Sequence, residues 1–121
     1  MMDTTTTLEE LKQKVKLFCE ERDWDQFHNP KDLSVGLMLE AAELLEPFRF
    51  KSERDMMELF ADPQKKNEIS EEAADVLFYL LRLSQMYDID LAKAFKEKME
   101  KNGQKYPVER SKGQNRKYNE L

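Results

Sequence analysis

Two pairs of carboxylates, each three residues apart, lie in stretches that hold little else that is polar. LMLEAAELLE (37–46) carries Glu40 and Glu43, and EEAADVLFYLLRL (71–83) carries Glu72 and Asp75. At about 100° per residue, the members of such a pair sit about 60° apart on a helix and point the same way. Between Leu33 and Leu45 the only charged residues are Glu40 and Glu43. Leu37, Ala41 and Leu44 flank them on one side, and Val35, Met38, Ala42 and Leu45 on the other. No polar face is left over, so this helix is expected to be surrounded by protein. Two ionised carboxylates there lose hydration and repel each other unless a cation joins them.

The second pair repeats the device. Tyr79, then Leu83 and Met86, continue the Glu72/Asp75 face as an aromatic and then an apolar surface. A solvated charged face would not do that. Ile69, Ala73, Val76, Leu77, Leu80 and Tyr87 form the expected core stripe beside it, while Glu71 and Arg82 point elsewhere and are expected to face solvent. Four carboxylates from two helices make a hard oxygen site that suits Mg²⁺, with Mn²⁺ as a substitute. A di-iron or di-manganese bundle would instead use Glu-x-x-His pairs. The single histidine, His28, follows neither pair. One Glu-x-x-Glu alone is usually a solvated helix face; two on helices without a spare polar face are not.

The elements that must hold these residues are helical. Thr7-Leu8-Glu9-Glu10 has capping-box spacing and opens a helix to about Arg22, with Leu8, Leu11, Val15 and Phe18 on its apolar face. The loop DWDQFHNPKD follows, and Asn29-Pro30 starts a helix that Pro47 stops near Glu46. A short helix is predicted over 52–60. Asp62-Pro63 opens a long one to about Met86, and Asp90 caps another that is expected to end near Asn102-Gly103. The stretch YPVERSKGQNRKYNEL (106–121) is expected to be extended, and residues 1–6 and about 108–121 to form tails of a single domain spanning 1–121. The fold class is all-α, a bundle of about four to five helices.

Composition agrees and narrows the class. Of 121 residues, 40% are hydrophobic and 37% charged, with 3 Gly and 4 Pro, a profile poor in turns and strand formers. The formal net charge of −5 argues against general nucleic-acid binding, yet it is unevenly spread. Lys96 to Lys117 carries a net +5, leaving −10 for the remainder. An acidic body with a basic C-terminal quarter suits a polyanionic, metal-bound ligand; a solvated basic tail is the plainer alternative. The lone Cys19 and the polar start MMDTTTTLEE, read as lacking a secretory signal, fit a reducing cytoplasmic setting. No apolar run reaches membrane-spanning length.

With these residues in view, the sequence resembles the MazG-like all-α NTP pyrophosphohydrolases, most closely the dCTP pyrophosphatase branch. Four stretches carry the likeness: ERDWDQFHNPKDL (21–33), LEAAELLEPFRFK (39–51), EEAADVLFYLLRL (71–83) and KMEKNGQKYPVERSKGQNRKY (98–118). The resemblance implies Mg²⁺-dependent hydrolysis of a deoxynucleoside triphosphate to the monophosphate and pyrophosphate. It implies Glu40, Glu43, Glu72 and Asp75 as metal ligands, with Glu40 and Glu43 in catalysis and Glu43 orienting the water. It places Trp24, Phe50 and Tyr79 at the base with His28 nearby; His28 has a second reading as a brace for the Asn29-Pro30 turn. Lys98, Asn102 and Lys105 match the family's Lys…Asn…Arg-Tyr-Pro pattern and would contact triphosphate and sugar.

Three positions depart from that pattern. Phe50 stands where close relatives have Trp, Val15 where some have His, and Lys105 where the pattern has Arg, which keeps charge but loses the bidentate fork. Family members assemble as dimers or dimers of dimers, and the apolar flank of Val35, Met38 and Leu45 fits burial between subunits. The expectation is therefore a cytoplasmic homo-oligomer acting on dCTP or a modified dCTP, without nucleic-acid or membrane partners. The same reaction on another NTP, and a non-catalytic metal- or nucleotide-binding helical oligomer, are the alternatives.

Overall fold

The computed structural model describes residues 1–121. Six α-helices and three short 3-10 turns are present, with no strand. The helices are α1 (Leu8–Glu21), α2 (Pro30–Leu45), α3 (Glu53–Ala61), α4 (Pro63–Met86), α5 (Leu91–Lys105) and α6 (Val108–Ser111). The chain divides into two compact units, Met1–Asp88 and Ile89–Leu121.

Local chemistry sets the helix starts. The side chains of Thr7, Asn29, Ser52, Asp62 and Asp90 each accept a backbone N–H from the first turn of α1 to α5 in turn, and Pro30 and Pro63 occupy the opening position where a missing N–H costs nothing. Each such cap contributes about 1 kcal/mol. α2 stops at Leu45, and Pro47 falls in a 3-10 turn over Glu46–Phe48. α1 ends in a Schellman turn, with Asp23 left-handed (φ 55°) and the N–H of Trp24 bonded to the Cys19 carbonyl at 3.0 Å. That turn folds Trp24 back against Phe18, their ring centroids 5.5 Å apart.

In the first unit α4 is the common surface: α1, α2 and α3 all pack on it. Val15 and Cys19 of α1, Leu33 of α2, and Ile69 and Leu81 of α4 are the buried apolar side chains. The predicted α4 core stripe is only partly realised. Ile69 is buried, but Leu77, Ala73 and Tyr87 are exposed, and the buried residues of its second half are Leu81, Arg82 and Ser84.

Arg82 therefore faces inward, contrary to the solvent exposure its helix-wheel position implied, and is 2% exposed. Burial is tolerable because its guanidinium is satisfied by side chains: Nε donates to His28 Nδ1 at 2.9 Å, Nη1 to Gln85 at 2.6 Å, and Nη2 pairs with Asp25. A wheel drawn for one helix cannot see the Asp25–His28 loop that closes over this position. Glu71 is exposed, as expected.

α2 is not enclosed within one chain. It meets α4 along one side only, and Val35, Met38, Leu39 and Leu45 stay exposed, Met38 at 62%. In the second unit α5 runs through Gly103 to Lys105, because Gly103 stays helical and Pro107 supplies the stop. The segment expected to be extended instead holds α6 and a 3-10 turn at Tyr118–Glu120, and Tyr118 returns to Tyr106 (6.1 Å) and to the Lys105 ammonium (4.9 Å).

Two expectations follow from α4's neighbours. A Cβ on Gly36 would lie 2.3 Å from Tyr79 Cε1. Gly36→Ala should lower stability by about 1–3 kcal/mol in denaturant unfolding, despite the better helix propensity of Ala. In a Tyr79→Ala background the same change should be neutral or stabilising. Burial first, and then the Arg82 charge, hold the His28 pKa below its ordinary 6.5. A folded pKa below the unfolded one means stability is full above about pH 6.5 and lost as pH falls through the folded value. Unfolding midpoints from pH 8 to 5 should show wild type losing this increment relative to His28→Gln.

Candidate metal centre

α2 and α4 run antiparallel, and their contacts order the site along the seam. Gly36 meets Tyr79 at one end, Glu40 and Asp75 follow, then Glu43 and Glu72. One carboxylate oxygen from each of Glu40, Glu43 and Glu72 falls within 4.8 Å of the others. Opposed ligands of an octahedral Mg²⁺ stand about 4.2 Å apart, so this spacing closes on a small hard cation with little movement. Glu40 Oε2 and Glu72 Oε2 are buried with no hydrogen-bond partner. Such orphaned acceptors are rare and call for a cation or water.

Electrostatics point the same way. Burial, and then the adjacent Glu43 carboxylate, push the pKa of both Glu40 and Glu72 up, with Asp75 adding to each. The cluster thus resists full ionisation on its own, and a divalent cation removes that penalty. Asp75 is exposed and outside the closest trio, but its charge acts on Glu40, Glu72 and Tyr79, which places it beside them. The donor set is all oxygen, which fits Mg²⁺, Mn²⁺ or Ca²⁺ and not the imidazole-bearing di-iron type.

Three of the four aromatic and imidazole groups expected at the base are linked. His28 meets Trp24 (6.2 Å), Trp24 meets Phe18, Phe18 meets Phe78 (5.9 Å), and Phe78 meets Tyr79 (5.4 Å), mostly edge to face. The sequence pattern puts Phe18 on the apolar face of α1 and assigns Phe78 no role, so neither stands out as a site residue. His28 braces α4 through Arg82 rather than the turn beside it, leaving Nε2 as its free nitrogen. Phe50 does not join the string. It sits on left-handed backbone (φ 63°), is 91% exposed, and touches chiefly the Arg49 guanidinium. Lys98, Asn102 and Lys105 lie on α5 in the second unit; Lys105 and Lys98 are exposed and Asn102 is half-buried.

One feature was not visible in the sequence. A cleft of about 740 Å³ has Glu43 and Glu72 in its wall, together with Arg49, Lys51 and Lys65. Single basic residues in a connecting segment form no periodic pattern, and only the turn at Glu46–Phe48 brings them alongside α4.

The MazG-like family profile matches residues 36–121, the stretch that holds Glu40, Glu43, Glu72 and Asp75, and the chain belongs to that family. Among curated relatives it is 39% identical to dCTP pyrophosphatase 1 of Rattus norvegicus over 115 residues, covering 95% of this chain and 68% of the relative. It is 36% identical to dCTP pyrophosphatase 1 of Homo sapiens over the same shares. A solved pyrophosphatase from Archaeoglobus fulgidus DSM 4304 is 40% identical, with a TM-score of 0.78 over 88% of this chain and 98% of that one.

Since Glu72 carries an orphaned oxygen and a raised pKa, its neutral analogue separates repulsion from ligation. Glu72→Gln should raise the melting temperature of the metal-free protein, while Mg²⁺ or Mn²⁺ should stabilise wild type and leave the variant almost unmoved. A metal-induced shift of equal size in both would remove Glu72 from the ligand set.

Proposed function

We propose that this nucleoside triphosphate pyrophosphohydrolase uses Mg²⁺ to split a deoxynucleoside triphosphate, dCTP or a modified dCTP, into the monophosphate and pyrophosphate, clearing that nucleotide from the pool. Membership of the MazG-like family and the pyrophosphatase relatives support the reaction class. The observation that carries the metal-dependent reading is the Glu40–Glu43–Glu72 trio with its two orphaned oxygens.

In this reading Glu40, Glu43, Glu72 and Asp75 hold the cation. When bound, Mg²⁺ neutralises phosphate charge and orients the triphosphate for in-line attack. Glu43, the exposed member of the trio, faces the cleft and takes the proton of the attacking water. One anhydride bond between the α- and β-phosphorus breaks; the water oxygen goes to one product and the bridging oxygen stays with the other. Trp24, Tyr79 and the free edge of His28 form the base slot. Phe50, 91% exposed and in contact chiefly with the Arg49 guanidinium, would stack in a slot completed by a second copy. Lys98, Asn102 and Lys105 would contact triphosphate and sugar.

Residues 1–121 are read as one catalytic domain working as a homo-oligomer, a dimer or dimer of dimers. The exposed apolar flank of α2 and a core of only five buried apolar side chains support that assembly. A cytoplasmic setting, with Cys19 reduced, belongs to the same reading. No helix is long and apolar enough to cross a membrane.

The test is a panel of dNTPs, rNTPs and 5-substituted dCTP analogues with Mg²⁺, measuring monophosphate and pyrophosphate. Turnover should be greatest with a cytosine nucleotide, and Glu43→Gln should lower kcat by about 10²–10⁴-fold with the fold intact. Absence of turnover across the panel, with stabilisation by Mg²⁺ and a non-hydrolysable nucleotide, would make the protein a binding module instead.

A further inference from the structure

The seam between α2 and α4 differs in chemistry from one end to the other. At the Gly36–Tyr79 end stand aromatic rings, and the arginines nearby are already engaged. Arg82 is buried and bonded to His28, Gln85 and Asp25; Arg22 lies 3.7 Å above the Phe18 ring and donates to the Phe18 carbonyl. At the Glu43–Glu72 end the cleft opens instead, walled by Arg49, Lys51 and Lys65. Lys65 is tied to Glu68 at 3.5 Å. The other two cations have no carboxylate partner. Arg49 is steadied 4.6 Å above the Phe50 ring, a contact that leaves its guanidinium N–H donors free, and the Lys51 ammonium has no ion pair.

From this we infer that Arg49 and Lys51 form the binding site for the terminal phosphates, so that a nucleotide lies with its base toward Tyr79 and its β- and γ-phosphates, later the leaving pyrophosphate, in the cleft. The inference deepens the proposed function and rests on it for the identity of the ligand. A guanidinium fork and an ammonium suit a dianionic phosphate pair, the first by bidentate hydrogen bonds and the second as a point charge. Five carboxylates and three cations line the cleft, so it repels anions until the Glu43–Glu72 end is neutralised. Pyrophosphate binding is therefore linked to divalent cation binding, and the cleft admits product only in the loaded protein.

The measurement compares Arg49→Ala, Lys51→Ala and the double variant with wild type, each residue being exposed and outside the core. Pyrophosphate binding with Mg²⁺, by calorimetry, should weaken at least about tenfold in each single variant, the scale of one charge-assisted hydrogen bond. Wild type without Mg²⁺ should bind pyrophosphate no better than the double variant. KM for the triphosphate should rise in step, while inhibition by the nucleoside monophosphate stays within about twofold, because the monophosphate occupies the aromatic end. Unchanged pyrophosphate affinity in the double variant would overturn the assignment, and so would equal loss of monophosphate and pyrophosphate binding. If wild type turns over no nucleotide but binds pyrophosphate through Arg49 and Lys51, the function reading fails and the anion site stands.

Discussion

Mutual repulsion among carboxylates held at a helix seam is the constraint on which the first unit depends. Glu40, Glu43 and Glu72 are brought within 4.8 Å at positions where two of their oxygens have lost water and gained no donor. Stability alone would not select such a cluster, since its charge works against the fold that creates it. Everything that presses α2 onto α4 works against that repulsion. Gly36 lets the Tyr79 ring come close, and the N-terminal caps and Leu33 fix the axial position of α2.

α4 then carries a second burden on its C-terminal half. Arg82 replaces an apolar core residue with a buried cation that reaches into the preceding loop and binds Asp25 and His28. The loop's Schellman turn and this grip fix Trp24 and His28 by two different means, one a backbone conformation and the other a charge-assisted network. The Arg82 network binds the loop directly to the helix that bears Glu72 and Asp75, and Trp24 reaches that helix through Phe18 and Phe78. Displacing α4 would therefore disturb carboxylates and aromatics together, which couples the two halves of the candidate site mechanically.

Much of this was legible in the residue pattern because helical spacing is a strong local rule. Thr7, Asn29, Asp62 and Asp90 announced helix starts through their own side chains, and the two carboxylate pairs were read as facing one another because no polar face remained for them. The misreadings fall where a residue's environment comes from distant chain. Arg82 looked solvent-facing since two of its three partners, Asp25 and His28, are more than fifty residues away. Gly103 looked like a stop but stays helical, the break being made by Pro107. The cationic cleft depends on the 3-10 turn at Glu46–Phe48 swinging Arg49 and Lys51 beside α4, and no periodicity reports a turn's direction. The exposed flank of α2 marks the limit of reading one chain, since nothing within that chain covers it.

The uninterrupted length of α4 has one more consequence. Lys65, in the cleft wall, and Tyr79 lie on one uninterrupted helix, fourteen residues or about 21 Å apart, with Glu72 midway between them. With no hinge between them, α4 acts as a gauge. In the proposed reading, a nucleotide that spans the aromatic end and the Arg49–Lys51 site has to match the spacing that α4 sets.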